Sequence, residues 1–467
     1  MVTTIARKEM TEMVRDGRFR WTAGIVLALL AGAVLMGWQN YREVSAQHET
    51  AQRVTREHWL GQGTKNPHSA AHYGVYAFKP KLPLSLVDQG VDPWVGVSAW
   101  LEAHKQNEFK YRPAQDATAL QRFGELTGAT VLQVLIPLLI VLLTFSAFSG
   151  EREQGTLRQV LSVGARKSDL AAGKALGIGG ALGTLLIPAI MLGVLALSLA
   201  SDNGALFASV PRMALMALTY LLYFGALTAV ALGVSAFVRS SRLALVTLLG
   251  FWIFNSLIAP RAVADIAKAA YPTPSAFDFS KRLDAALQEG ADTRNRQLRE
   301  GLLKKYNVDR VEALPVSFSG VSLQAGEEHG NEVFDRFYSG LWNTFHQQEQ
   351  VHLYSSVAAP LLAVRSLSMG LAGTDFAQHA HFATAAEEYR RAIQRELNSE
   401  ITANAAKVTG AYVRGRDLWE RIPEFSYEAP GTQWVLARQW PALMLLTLWT
   451  ALAVLFASVA TRTLRTE

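Results

Sequence analysis

Two apolar runs without a single charge, residues 128–148 and 175–200, constrain this chain more than anything else in it. A helix rises 1.5 Å per residue, so about 20 residues cross a hydrocarbon core of about 30 Å. The bilayer offers backbone amides no water, and a helix is the form that satisfies them within one segment. Four further stretches, 21–38, 211–238, 243–260 and 440–460, have comparable length and character. The expected fold class is an α-helical polytopic membrane protein with six transmembrane helices. Trp21, Trp38 and Trp440 stand at span ends, where indole rings favour the headgroup zone.

Lys and Arg crowd the short segments on one side of this array. The tail 1–20 carries Arg7, Lys8, Arg15, Arg18 and Arg20, and residues 149–174 carry Arg152, Arg158, Arg166, Lys167 and Lys174. The turn after the fourth span has Arg239 and Arg242, and the tail 461–467 has Arg462 and Arg465. The short loop 201–209 on the other side has none. This bias predicts that both termini and loop 149–174 are cytoplasmic. Two large extracytoplasmic insertions then follow, 39–127 (mixed) and 261–439 (mainly helical), each long enough for a small domain. The net charge of +6 resides in the cytoplasmic loops and gives no reason to expect nucleic acid. Zero cysteines exclude a disulfide framework. The long basic lead and the lack of a small-x-small site predict no cleavable signal peptide.

Residues 1–20 place Ile5, Met10, Met13, Val14 and Phe19 among charges, which reads as an interfacial amphipathic helix. In the first insertion, 41–60 reads as helix, 61–94 as loops and short strands, and 101–107 as a helical turn or two. In the second, 277–306, 327–354 and 376–413 have helical apolar spacing, with loops at 317–322 and 422–431. Segment 357–372 contains Pro360 and a central Arg365, which costs roughly 2.5–3.5 kcal/mol in lipid, so a buried or surface helix is expected. Small residues four apart (Gly24, Ala28 and Gly32; Gly173 and Gly177; Gly179 and Gly183; Gly225, Ala229 and Gly233) let helices approach closely, in one chain or across a dimer. Glu387-Glu388 with Arg390-Arg391 reads as a solvated helix face with four-residue ion pairs.

No ionisable residue falls in the middle of a span, which leaves no midplane group to titrate or hold an ion. No Gly-x-x-x-x-Gly-Lys-Ser/Thr loop is present to cradle nucleotide phosphates, so ATP hydrolysis must belong to another chain. No catalytic residues are inferred. Gln133, Thr144, Tyr220, Tyr223 and Asn255 are the polar side chains available to line a translocation path. All ten histidines lie in the two insertions. His68 and His72 are four apart, and Asp375, His379 and His381 cluster. With no third ligand adjoining the first pair in sequence, no metal site is expected.

The string Glu151-Arg152-Glu153-Gln154-Gly155-Thr156-Leu157, followed by Leu161-Ser162, Arg166-Lys167 and Gly173-Lys174, resembles ABC-2 type transporter permeases. Three further pieces resemble their bacterial branch bearing a DUF3526 region: residues 101–107, Pro360-Leu361-Leu362 with Ser366 to Met369, and Gly373-Thr374-Asp375 with His379, His381 and Phe382. The resemblance implies a permease subunit in a bacterial inner membrane, paired with a second permease chain, identical or sister. It implies a cytoplasmic ABC ATPase that carries the ATP and Mg, with no cofactor in this chain. In that family the charged loop is a coupling helix resting on the ATPase. Glu151, Arg152 and Glu153 then offer exposed charge, Gly155 a tight bend, and Thr156 a cap for the helix that begins at Leu157. Two functions follow: substrate export or extraction, or relay of ATPase motion to a periplasmic partner without substrate passage.

Overall fold

The computed structural model describes residues 1–110, 112, 114, 126–200 and 203–464. Arg465, the side chain of Arg18, residues 115–125 of the first insertion and the start of loop 201–209 lie outside the described residues. Among the described residues, six helices are long and apolar enough to cross a bilayer: Phe19–Gly61, Gly128–Glu153, Lys167–Leu199, Gly204–Phe237, Ser241–Ala270 and Thr432–Arg462, here spans 1 to 6. They leave Ile187, Met191, Leu221, Val246, Leu452 and Val459 exposed, as helices solvated by lipid do.

The helices outrun the apolar runs that announce them. Span 1 belongs to a single helix, Gly17–Gly61, whose 45 residues extend about 68 Å, more than twice the hydrocarbon thickness. Span 5 continues through Pro260 to Ala270. Pro260 falls in the first turn after a π-turn at Phe254–Ile258, where a missing N–H is tolerated.

The N-terminal helix Val2–Arg15 packs along span 3. A Cβ at Gly173 would stand 2.6 Å from Ile5, and one at Gly177 would stand 2.6 Å from Glu9. The expected interfacial helix is thus docked on the bundle, and this glycine stripe is its seat. Gly233 likewise admits Phe456 of span 6, whereas Gly24, Gly32, Gly179 and Gly225 face open space. Helix Pro360–Ala372 is buried against spans 4 and 6. Its C-terminal end is held by Arg212 of span 4, which is 6% exposed and donates to the Leu371 carbonyl at 3.2 Å and to the Pro430 carbonyl. A cation among the last carbonyls of a helix is favourable.

The two inter-span regions form one body. Strands β1 (Val75–Phe78), β2 (Ser98–Leu101) and β3 (Glu108–Lys110) make an antiparallel sheet in that order, with Val75 opposite Leu101 and Ala99 opposite Phe109. Residues 101–107, expected as helix, are the β2–β3 connection. His104 and Asn107 there have φ of 61° and 56°, left-handed values that cannot continue a right-handed helix. The segment 277–306 breaks at Gly290 into Ala276–Gln288 and Ala291–Tyr306.

Residues 318–322, expected as loop, open helix Phe318–Ser355. Gly320 serves close packing there, since a Cβ would meet Thr402 Oγ1 at 2.4 Å. Helix Phe376–Asn404 ends before the expected 413, and 423–431 has no regular structure. Trp59, Val75, Ala99 and Leu101 share a core with Phe382, Leu397, Leu418 and Trp419. The Trp59 indole donates to the Trp419 carbonyl at 2.9 Å, and the Trp419 indole donates to the Gly63 carbonyl at 3.0 Å.

Candidate coupling loop and polar network

Span 2 unwinds at residues 145–148 before a last turn, Ser149–Glu153. Ser235 of span 4 satisfies the freed backbone: its hydroxyl donates to the Phe145 carbonyl at 2.8 Å and accepts from the Phe148 amide at 3.0 Å. Gly155 then reverses the chain at φ 74° into helix Thr156–Ser162. Open space surrounds Gly155, so backbone conformation rather than room selects glycine. Thr156 is not the helix cap. Gly155 holds that position, and the Thr156 hydroxyl donates back to the Glu151 carbonyl at 3.2 Å. Leu157, 1% exposed, anchors the short helix in the bundle core.

The loop charges are engaged inside the chain. Glu151 accepts from Lys174 Nζ at 2.7 Å, and the same ammonium reaches Glu9 of the N-terminal helix at 2.8 Å. Lys174 is 1% exposed. Arg152 donates to the Val238 and Ala236 carbonyls at 2.6 and 2.9 Å, at the end of span 4. Glu153 accepts from the Ser241 amide at 2.9 Å and its hydroxyl at 2.7 Å, at the start of span 5. Each pairing suits the sign of the helix end it meets. Glu151 and Arg152 are half-buried, whereas Glu153 is exposed and shares the solvent-facing surface of the loop with Gln154, Gly155, Arg158 and Gln159. Lys167 Nζ donates to the Leu464 carbonyl at 2.7 Å, so both chain ends and this loop share one end of the bundle.

Four of the five in-span polar residues meet in one hydrogen-bonded set. Gln133 donates to the Tyr220 hydroxyl at 3.2 Å, and Tyr223 donates to the Gln133 carbonyl at 3.3 Å. Asn255 donates to the Tyr223 hydroxyl at 3.0 Å and accepts from the Leu361 amide at 3.2 Å, capping helix Pro360–Ala372. Tyr220 reaches Ser368 at 3.1 Å, and Ser368 donates to Asp88 at 2.6 Å. Gln133 and Asn255 each lie in a π-turn, Val131–Leu135 and Phe254–Ile258, where the extra residue turns a side chain inward. Thr144 stands apart, donating to the Ile140 carbonyl of its own helix at 2.6 Å.

Beside this set lies a cavity of about 1120 Å³, lined by Asp88, Gln133, Glu349, Arg365, His381 and Trp434 among others. Glu349 opens onto it, and enclosure by the surrounding protein, with Asp375 nearby, pushes its carboxyl up to about 7.

The Glu387–Arg391 segment is not a solvated face. Arg390 is 1% exposed, gripping Glu387 through Nε and Nη2 at 2.8 and 2.9 Å and Glu327 at 3.0 Å. Burial works to raise the Glu327 carboxyl, but bonds from His104 and the Arg390 charge outweigh it and hold the pKa down.

The histidines also differ from expectation. The Asp375, His379, His381 cluster disperses: Asp375 caps helix Phe376–Asn404, His379 packs on Phe109, and His381 bonds Tyr427. His68 and His72, by contrast, gain His104 as a third neighbour. Glu9, Ser235 and Arg212 were not singled out by sequence reasoning, and Lys174 and His104 entered it only as members of the basic loop and of the histidine set. Only Lys174, a charge at the edge of a long apolar run, leaves a signal there.

The fold and these sites define a class, the α-helical membrane protein whose inter-span regions join in one folded unit. Within it, residues 276–428 match DUF3526, a domain of unknown function. No curated protein matches the chain. The matched segment is less than half the chain, and its core is completed by residues 59–101.

Proposed function

We propose that this chain is the permease subunit of an ATP-driven ABC-2 type transporter, coupled to a separate cytoplasmic ATPase. The observation that carries the reading is the loop at Gly155. It presents a short helix on a left-handed turn between two spans, beside both chain ends and bonded to spans 3, 4 and 5. Its exposed Gln154, Arg158 and Gln159 meet the ATPase, which binds ATP and Mg.

Force applied there passes through Leu157 to the core, through Arg152 and Glu153 to the ends of spans 4 and 5, and through Lys174 to span 3. Loop and termini face the cytoplasm of a bacterial inner membrane, and the inter-span unit is periplasmic. A second permease chain, identical or sister, completes the assembly, and lipid bathes the apolar faces. The large cavity receives the exported or extracted substrate.

One observation favours relay of motion to a periplasmic partner instead. Tyr220, Tyr223 and Asn255 bond to one another and to Gln133 and do not line the cavity, which only Gln133 of the set reaches, and the span 1 helix runs unbroken into the shared core.

The absence of cysteine makes the test direct. Gln154→Cys and Gln159→Cys in native membranes should crosslink to an ATPase that co-purifies with the chain. Recovery of no ATPase, or crosslinks only from the opposite end at Asp309→Cys, overturns the coupling reading. Substrate-dependent protection of a cysteine at Trp342 would separate transport from relay.

A further inference from the structure

We propose that His68, His72 and His104 form a three-histidine site for a divalent transition metal of borderline softness, Zn2+ foremost, with one coordination position open to solvent. It is independent of the coupling reading.

The three imidazoles reach one point from separate elements. His68 and His72 stand one turn apart on helix Pro67–Tyr73, whose Asn66 cap accepts from the His68 amide at 2.9 Å. His104 comes from the β2–β3 connection. Ring centroids lie 4.8 Å apart for His68 and His72, and 5.2 Å for each of the pairs with His104. One ligand nitrogen from each ring lies within 4.8 Å of the others. Tetrahedral zinc with bonds of 2.0–2.1 Å needs nitrogens about 3.3 Å apart. His68 Nε2 and His72 Nε2 already stand at 3.2 Å. His72 is exposed and can turn to close the remaining distance, while His68 is half-buried and His104 is exposed but braced by Glu327.

Two features beyond proximity point to a ligand. His104 has φ 61°, a conformation rare outside glycine, and it is held there from both ends. Glu327 accepts from its amide at 3.2 Å and lies 2.6 Å from its Nδ1. A carboxylate on one imidazole nitrogen fixes the ring and leaves the other nitrogen for a metal, the usual support of a metal-bound histidine. Glu327 is itself fixed by Arg390 at 3.0 Å. His68 Nδ1 and Asn398 Oδ1 are neighbouring buried atoms, each without a hydrogen-bond partner. A metal on His68 Nε2 would fix the tautomer that donates from Nδ1 toward Asn398. Imidazole donors without carboxylate favour Zn2+ or Cu2+ over Mg2+ or Ca2+. All three ligands belong to the first inter-span region, and the site touches the second only through the Glu327 contact that braces His104.

The full chain, purified with a histidine-free affinity tag and stripped with chelator, should bind one Zn2+ per chain in a calorimetric titration with zinc chloride alone. Mg2+ should give no signal. His72→Ala removes an exposed side chain and should weaken zinc binding at least about 100-fold, and His104→Ala likewise. His346→Ala, an exposed histidine of the cavity, should bind as the parent does. Zinc should raise the melting temperature of the parent and of His346→Ala but not of His72→Ala. Absence of stoichiometric zinc binding in the parent overturns the proposal, as does binding that survives in His72→Ala. If His104→Ala does not fold, His72→Ala decides.

Discussion

Two buried cations, Lys174 at the loop end of the bundle and Arg390 in the inter-span unit, each sit between two carboxylates, yet they brace the protein differently. Arg390 grips Glu387 of its own helix with two parallel bonds and reaches Glu327 and Asn331 of the facing helix, the latter at 2.6 Å. A planar guanidinium fixes direction as well as distance. Lys174 is a point charge where the N-terminal helix, the end of span 2 and span 3 converge on one nitrogen. An ammonium permits those elements to pivot about it. The contrast suits a rigid body at one end and a yielding joint at the other, the arrangement that the proposed coupling role calls for.

The contrast breaks most readily at Arg390. Arg390→Leu removes the buried guanidinium shared by Glu327 and Glu387, leaving only His104 and Arg391 to face them, and should cost about 3–5 kcal/mol in denaturation of the purified protein. Trp59→Ala should cost about 3–4 kcal/mol. A fragment 276–428 without residues 59–110 should not fold, as judged by amide exchange. An independently stable fragment would show that the shared core is dispensable. Lys174→Met should cost less, about 2–3 kcal/mol, because Glu151 keeps some contact with water, and should instead reduce coupled ATPase activity. A loss as large as that of Arg390→Leu would remove the distinction between joint and brace.

Acid should separate the two ends as well. Burial, with Lys79 and Arg112 adding repulsion, lowers His379 from 6.5 to about 3. The unfolded chain therefore binds the proton that the folded unit refuses. This contribution is fully present above pH 6.5 and is lost as pH falls toward 3. Between pH 6.5 and 5 it amounts to about 1.5 kcal/mol. His379→Gln should flatten that slope in melting experiments on the inter-span unit, and an unchanged slope would place the sensitivity elsewhere. The smallest effect is expected at Glu153, which is exposed: Glu153→Gln should leave the denaturation midpoint essentially unchanged.

Much of this architecture is written locally. Residues 128–148 and 175–200 have to be membrane helices because nothing else satisfies a charge-free backbone of that length. Helix ends were less legible. Residues 167–174 and 261–270 are polar enough to read as loop, yet packing against Val2–Arg15 and Phe318–Ser355 keeps them helical. At 318–322 a glycine read as loop serves close approach to Thr402, which one-dimensional spacing cannot express. The candidate site was legible as a set of polar residues and not as a wiring: Gln133 and Asn255 were visible, but their π-turns and the extension from Tyr220 to Ser368 and Asp88 were not.

The sequence by itself determined that this chain enters a membrane, which apolar runs cross it, and that a sharp turn falls at Gly155. These depend on solvation and backbone sterics, which act residue by residue. Only the tertiary structure decided that two regions separated by four spans share one core, that the loop charges turn inward to neighbouring span ends, and that His104 joins His68 and His72. Those depend on which surfaces meet in space, and a pairing between distant residues leaves no trace in the local pattern of either.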